Sequence, residues 1–267
     1  VLPVPFERTS TFGVGSAAGP DAIIKASHEV ELFDGVLGKE SFKACHGIAT
    51  LEPVTAFSGA KVCQILDQAV ADQLERGRFV VTLGGEHSSV VGAVRAHSRY
   101  FPDLTVIQFD AHSDLRESYQ DDKWNHACAM ARILEFQDEV IQVGIRSQAK
   151  EERDQSEELD LPVFYAHEVH ELDRSGGDWI GSVISKCNKN VYITFDCDAF
   201  DPAVIPATGT PEPGGLNWYQ LDRFIDRLTA VRNLVGFDVS ELAPIHGLHH
   251  PQFTMAKLIY RWIGYVF

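Results

Sequence analysis

The feature that most constrains the fold is a repeated alternation of short apolar runs with longer stretches of helical spacing. The spacing predicts a helix over 61–74, followed by a strand over 79–83. Alternating strands and helices build a parallel sheet that is covered by helices on both faces, so we expect an α/β fold. The same order recurs along the rest of the chain, with strands over 104–109, 140–144, 191–195 and 234–237 and helices over 88–100, 126–136 and 253–264.

Four of the predicted strands end in polar motifs. In open α/β sheets, ligands bind outside the carboxyl ends of the strands. If the strands are parallel, all four ends meet at one edge of the sheet, and we expect one site there. The four motifs are Gly84-Gly85-Glu86-His87, Asp110–Asp114, Asp196–Asp198 and Asp238–Glu241.

Two of these motifs, Asp110-Ala111-His112-Ser113-Asp114 and Asp196-Cys197-Asp198, hold four carboxylates and an imidazole. Side chains alternate along an extended chain, so residues two apart should point the same way. Carboxylates packed at a buried strand end repel one another unless a cation is present. Singly, His87 could be a core-edge histidine and Asp114 a helix cap. Together these residues predict a binuclear metal site, and oxygen and imidazole ligands without thiolate favour manganese over structural zinc.

The charge of the chain bears on its partners. There are 23 Lys and Arg against 38 Asp and Glu, a net charge of -15, which argues against nucleic acid. A negatively charged surface attracts small cations, although the excess of acidic residues is explained equally well by the solubility that it confers. No apolar run approaches the ~20 residues that span a bilayer, so we expect no membrane association. Five cysteines without a Cys-x-x-Cys pair are typical of a reducing cytoplasm.

Three motifs, taken in order, resemble the signatures of the ureohydrolases, the arginase–agmatinase family. They are Gly84-Gly85-Glu86-His87-Ser88, Asp110–Asp114 and Thr194-Phe195-Asp196-Cys197-Asp198-Ala199-Phe200-Asp201-Pro202. The resemblance implies one catalytic domain over 1–267, with a three-layer α/β/α fold and a central, mostly parallel sheet of about eight strands. It also implies two Mn²⁺ per subunit, hydrolysis of a guanidinium compound to urea and an amine by a metal-bridging hydroxide, and a homo-oligomer of three or six subunits.

The resemblance also implies a role for each site residue. His126, in Asn125-His126-Ala127, would relay a proton to the leaving amine, and Glu241 would pair with the substrate guanidinium. Asp198 would carry a proton to the leaving nitrogen. Without the family resemblance, we would interpret His126 as a solvated histidine and Glu241 as an ordinary charged loop residue. The implied metal ligands are His87 and Asp114 for one ion, His112 and Asp198 for the other, and Asp110 and Asp196 as bridges.

The substrate is less constrained. The segment Arg146-Ser147-Gln148-Ala149 lacks the acidic pair with which arginases hold an α-amino group, and it looks like agmatinases. The loop 117–122, with Glu117, Asp121 and Asp122, could attract a distal ammonium or could simply be solvated. We therefore expect agmatine, giving putrescine and urea. Alternatives are arginine, guanidinobutyrate or free guanidine as substrate, or a metal-binding polyamine or guanidine sensor without turnover.

Overall fold

A computed structural model describes all residues from 1 to 267, and its centre is one sheet of seven parallel strands. The predicted parallel α/β architecture is confirmed, with seven strands where the resemblance implied about eight. The strands are β1 (Leu2–Val4), β4 (Val80–Gly84), β5 (Leu104–Phe109), β6 (Val140–Ile145), β7 (Val163–Tyr165), β8 (Asn190–Asp196) and β9 (Asn233–Ser240); β2 (Phe33–Asp34) and β3 (Lys39–Glu40) form a separate hairpin.

The strand order across the sheet is β1-β4-β9-β8-β5-β6-β7. The four strands with polar ends, β4, β9, β8 and β5, are therefore adjacent at the centre. The register between β5 and β8 runs unbroken from Leu104 opposite Asn190 to Phe109 opposite Phe195. Because of this pairing, the two carboxylate motifs begin side by side at the carboxyl ends of β5 and β8.

Helices cover both faces of the sheet, as the sequence predicts. The α-helices are α1 (Gly19–Ser27), α2 (Ser41–Ala44), α3 (Gly59–Leu74), α4 (Val91–Tyr100), α5 (Ala129–Ile133), α6 (Lys150–Glu158), α7 (Ala166–Ser175), α8 (Trp179–Ser185), α9 (Trp218–Thr229) and α10 (His250–Val266). Short 3₁₀ turns span Ser16–Ala18, His87–Val90, His126–Cys128 and Cys197–Ala199. None of the ten α-helices combines the length and the hydrophobicity that are needed to span a bilayer.

The core lies in two layers, one on each face of the sheet. Helices α3, α4 and α5 pack on one face, while α1, α8, α9 and α10 pack on the other. Along β8, Tyr192 faces the first layer, whereas Val191 and Ile193 face the second. Because both faces are covered, this strand is a continuous apolar run rather than an alternating one.

The predicted elements agree with the structure to within a few residues, and two of them differ in kind. The helix predicted over 88–100 begins as a 3₁₀ turn at His87 and becomes α-helical only at Val91. The helix predicted over 126–136 likewise opens with a 3₁₀ turn, and its α-helical part ends at Ile133. The sequence analysis predicted no element for β1, β7, the hairpin β2–β3, or helices α1, α2 and α6–α9.

Candidate active site

The four polar strand ends meet at one edge of the sheet, as predicted. The turn after β4 is held close to the turn after β9, since Glu241 donates its N–H to the carbonyl of Gly85 at 2.7 Å. Gly85 also lies against Phe6 so closely that a Cβ there would sit 2.1 Å from the Phe6 carbonyl oxygen. Only glycine fits this position, which lets the segment after β4 carry His87 over the sheet.

The first histidine, His87, is surrounded by carboxylates. Its Nδ1 lies 2.9 Å from Asp114 Oδ2, 3.1 Å from Asp110 Oδ2 and 3.7 Å from Asp196 Oδ2. The imidazole is fully buried. Three carboxylate oxygens thus lie within 3.7 Å of this nitrogen, and the ligand atoms of His87, Asp110 and Asp196 lie close enough to one another to hold a divalent cation.

The second histidine, His112, forms a neighbouring group. Its Nδ1 lies 2.9 Å from Asp198 Oδ2 and 3.7 Å from Asp110 Oδ1. Asp110 therefore faces both histidines, one oxygen towards each, as expected of a bridging ligand. Asp196, the other predicted bridge, is close to His87, but its carboxylate oxygens are not within 4.0 Å of the His112 ring nitrogens.

The ligands converge through turns rather than through simple alternation along an extended chain. Asp196 Oδ1 accepts the N–H of Asp198 at 2.9 Å, within the 3₁₀ turn Cys197–Ala199. Asp110 Oδ1 accepts the N–H of His112 at 2.6 Å, and Asp114 has a left-handed φ of +52°. The alternation argument was therefore wrong about the backbone, although the side chains it grouped do lie together.

The electrostatics of this cluster favour bound cations. Burial, together with the nearby charge of Asp110, raises the pKa of Asp114 to about 7. Burial and neighbouring carboxylates likewise raise the pKa values of Asp196 and Asp198. Burial alone would lower the pKa of His87, but hydrogen bonds to Asp110 and Asp114 outweigh it and raise that pKa. Four buried carboxylates against two imidazoles leave an excess of negative charge that divalent ions would neutralise.

A buried polar chain orients His87 from below. Its Nε2 lies 2.9 Å from the hydroxyl of Thr194, which donates to Asp238 Oδ1 at 3.0 Å. The other oxygen of Asp238 accepts the hydroxyl of Tyr192 at 2.9 Å. With the Thr194 proton donated to Asp238, His87 Nε2 must donate its own, which leaves Nδ1 free for a cation. Such outer hydrogen bonds commonly orient metal-binding histidines.

Buried glutamines support Asp110 in a similar way. Gln108 donates to Asp110 Oδ2 at 2.8 Å and to the carbonyl of His112 at 3.1 Å. Gln142, which lies opposite Gln108 in the sheet, donates to the Gln108 side-chain oxygen at 2.5 Å. Because these amide groups carry no charge, they can stabilise the Asp110 carboxylate without competing with a metal cation for it.

A cavity of about 320 Å³ opens above the cluster, within the size range of small-molecule sites. Glu241 and His126, the two predicted substrate-handling residues, both line it. Glu241 has a left-handed φ of +62°, and its Oε1 accepts the N–H of His87 at 2.7 Å. Burial raises the pKa of Glu241, whereas burial and the charge of His112 lower the pKa of His126 to about 4.

The acidic loop 117–122 does not supply carboxylates to this cavity. Glu117 pairs with Arg132 at 2.7 Å, and Asp122 accepts the N–H of Trp124 at 2.8 Å. From this loop it is Tyr119 that lines the cavity. The hypothesis of an acidic recognition loop is therefore not supported, because two of its three acids bind other parts of the protein.

A different carboxylate, Glu152 in α6, lines the cavity. It is buried, and it accepts the N–H groups of Leu115 at 3.1 Å and Ala149 at 2.7 Å. Arg116 lies 3.6 Å from it, with its guanidinium over the ring of Tyr119 at 4.5 Å. Glu152 was missed because α6 was not predicted and nothing in its sequence places it at a strand end.

The sequence profile described as the arginase family matches residues 1–264 of the chain. The chain belongs to the arginase family. It is 38% identical over 276 residues to an N(1)-aminopropylagmatine ureohydrolase from Synechocystis sp., covering 99% of this chain and 88% of that protein. It is 34% identical to an N(1)-aminopropylagmatine ureohydrolase from Thermus thermophilus, with the same coverage.

The fold agrees with this membership. The crystal structure of the agmatine ureohydrolase of Thermoplasma volcanium superposes with a TM-score of 0.88 and 32% sequence identity, covering 99% of this chain and 88% of that one. The chain is therefore a ureohydrolase of the arginase family, and the predicted family resemblance is confirmed. The family is metal-dependent, and the two clusters around His87 and His112 are the candidate metal-binding residues.

Several supporting residues of this arginase-family site were missed by the sequence analysis. Thr194 and Gln108 stand inside strands that otherwise read as apolar, and a polar residue in a buried strand is a usable signal. Asp238 was grouped with Glu241 at a strand end, but it lies within β9, fully buried beneath the site. The sequence did not reveal its role in supporting His87 through Thr194, because a predicted strand does not show which of its polar residues lies inside the sheet and which lies at its end.

Proposed function

We propose that this chain hydrolyses a guanidinium compound with a cationic, carboxylate-free tail, to urea and an amine, with two Mn²⁺ held by the His87 and His112 clusters. The observation that carries the proposal is the pair of adjoining ligand groups sharing Asp110 at the floor of a cavity lined by Glu241 and His126. Hard carboxylates and imidazoles without thiolate suit manganese.

Two bound divalent ions would activate water at neutral pH and stabilise the charge that develops on the reacting carbon's substituents. The proposed ligands are those implied by the sequence. His87 and Asp114 would hold one ion, and His112 and Asp198 the other. Asp110 and Asp196 would bridge them, with Asp110 better supported, because its two oxygens face the two histidines.

Glu241 is proposed to hold the substrate guanidinium. Its Oε1 accepts the His87 N–H, while Oε2 has no partner in the protein and is free for a planar guanidinium donor. Asp198 would accept the proton of the attacking water and pass it to the leaving nitrogen. His126 lines the cavity and its Nε2 has no partner in the protein, so this nitrogen can take up a proton and deliver it to the departing amine.

The choice of tail rests on charge. Apart from the proposed metal ligands, the charged groups lining the cavity are Glu241, Glu152 and Arg116. Arg116 pairs with Glu152 and stacks on Tyr119, so no free cation remains to bind a carboxylate tail. Besides this pairing, Glu152 accepts two backbone N–H groups, which leaves its carboxylate with acceptor capacity for an ammonium group. A cationic tail is therefore favoured over a carboxylate, as for agmatine or N(1)-aminopropylagmatine. The second substrate is considered because relatives at 34% and 38% identity carry that name.

A urea assay on Mn²⁺-loaded protein tests the proposal. The panel is agmatine, N(1)-aminopropylagmatine, arginine, 4-guanidinobutyrate and guanidine. Urea from the first two, with little from the guanidino acids, is the expected result. Faster hydrolysis of a guanidino acid would contradict the proposed preference for a cationic tail. If compounds bind but none yields urea, a sensor without turnover would be favoured.

A substitution in α6 tests the proposed role of Glu152. Glu152→Gln should raise KM for the cationic substrates with little change in kcat. The matched control is Glu151→Gln, which changes an exposed neighbour on α6.

A further inference from the structure

Thr9, in the segment after β1, connects a buried carboxylate to the ring of His126. The Thr9 hydroxyl lies 3.0 Å from Glu86 Oε1 and 3.1 Å from His126 Nδ1. The same hydroxyl oxygen accepts the backbone N–H of His126 at 2.9 Å. Thr9 therefore contacts both the backbone and the ring of this histidine.

The direction of these hydrogen bonds follows from Glu86, which is fully buried. Its Oε2 accepts the N–H groups of Arg8 at 2.6 Å and Thr9 at 2.7 Å. Its Oε1 accepts the hydroxyl of Ser88 at 2.6 Å as well as that of Thr9. A carboxylate with four donors around it only accepts, so the Thr9 proton is directed towards Glu86.

The Thr9 oxygen is then left with acceptor capacity only. His126 Nδ1 must therefore be the donor in their contact, and it must carry the proton of the neutral ring. Nε2 is the nitrogen with the lone pair, and it has no hydrogen-bond partner in the protein. The side chain lines the cavity, where this nitrogen is available to a proton from substrate or solvent.

We propose that Thr9, oriented by Glu86, is a positioning residue that holds His126 in the Nδ1–H tautomer with Nε2 free to exchange protons. The proton-transfer role of His126 rests on the proposed function, whereas the tautomer does not. Thr9 makes no hydrogen bond to the proposed metal ligands or to the proposed guanidinium carboxylate, so its effect should appear in turnover and not in binding.

The test compares Thr9→Val, which removes the hydroxyl at nearly constant shape, with Thr9→Ser, which keeps it. The first readout is ¹⁵N NMR of the full, metal-free chain labelled at histidine, above pH 7. The His126 signals are assigned from their absence in His126→Asn. We expect protonated Nδ1 in the native chain and in Thr9→Ser, and a mixture of tautomers in Thr9→Val.

The second readout is steady-state kinetics of the Mn²⁺-loaded protein with whichever guanidine yields urea. If the Nδ1–H form falls to about a tenth, kcat should fall about tenfold at unchanged KM, because turnover scales with the competent fraction. Bound metal should not change, and Thr9→Ser should retain kcat within about twofold. In a His126→Asn background, Thr9→Val should have no further effect.

Either of two results would overturn the proposal. One is a His126 ring that keeps its proton on Nδ1 in Thr9→Val. The other is a Thr9→Val effect on kcat that is as large without His126 as with it, which would mark a general loosening of the segment. If no guanidine yields urea, the proposed function fails, and the NMR comparison still decides the tautomer.

Discussion

The buried imidazole of His97 allows a quantitative prediction of how stability depends on pH. His97 lies in α4, its Nδ1 donates to the carbonyl of Ala93 at 2.8 Å, and its Nε2 packs against Gly236 without a well-formed hydrogen bond. Its ring contacts that of Tyr192, with centroids 4.6 Å apart. Burial lowers the pKa of His97 from 6.5 to about 4, because the cost of burying a charged imidazole exceeds the stabilisation from the Ala93 carbonyl.

The sign follows from the two states of the chain. Between pH 6.5 and pH 4 the unfolded chain protonates His97 while the folded chain does not. The contribution of neutral His97 to the free energy of unfolding is therefore fully present above pH 6.5, and it decreases as the pH falls towards 4. The loss due to this residue is about 2 kcal/mol at pH 5 and reaches about 3 kcal/mol well below pH 4, at roughly 1.4 kcal/mol per pH unit.

Urea denaturation at pH 8 and pH 5 measures this loss. The native chain is compared with His97→Leu, which cannot titrate, and with His28→Gln, an exposed histidine after α1. All samples are metal-free, so contributions from the carboxylate cluster are common to them. We expect His97→Leu to lose about 2 kcal/mol less than the native chain between the two pH values, and His28→Gln to behave as native. An equal loss in His97→Leu would refute the reasoning.

Three further predictions concern the active site. Metal analysis of Mn²⁺-loaded protein should approach two ions per chain, and Asp110→Asn should weaken both sites; a content that never exceeds one would contradict the shared ligand. His126→Asn should lower kcat roughly tenfold to a thousandfold without loss of metal, and accompanying metal loss would identify His126 as a ligand or structural residue. Finally, kcat/KM for agmatine should exceed that for arginine at least ~100-fold, about 2.7 kcal/mol, and similar values would contradict selection by the cationic tail.

The sequence by itself determined the architecture of the chain and the edge of the sheet at which the polar strand ends meet. Strands such as 104–109 and 191–195 are continuous apolar runs separated by helical spacing, and this pattern requires a parallel sheet buried on both faces. The carboxylates that follow them must then share one sheet edge. This is why His87, Asp110 and Asp196 could be grouped without coordinates, since the grouping depends only on strand direction.

Only the tertiary structure decided which residues serve that site from elsewhere. Thr9 and Glu152 come from an N-terminal segment and an unpredicted helix, and no local pattern marks them. Asp238 was placed at a strand end by the sequence, but it lies inside β9 beneath the site. Helix α6, with the sequence KEERDQSEE, contains no apolar residue, so a search for apolar periodicity does not identify it. The turns at Asp114 and Glu241, with left-handed φ values, were also beyond an argument from alternation. Side-chain direction at a strand end depends on the turn that follows, and that turn is set by contacts between segments distant in sequence.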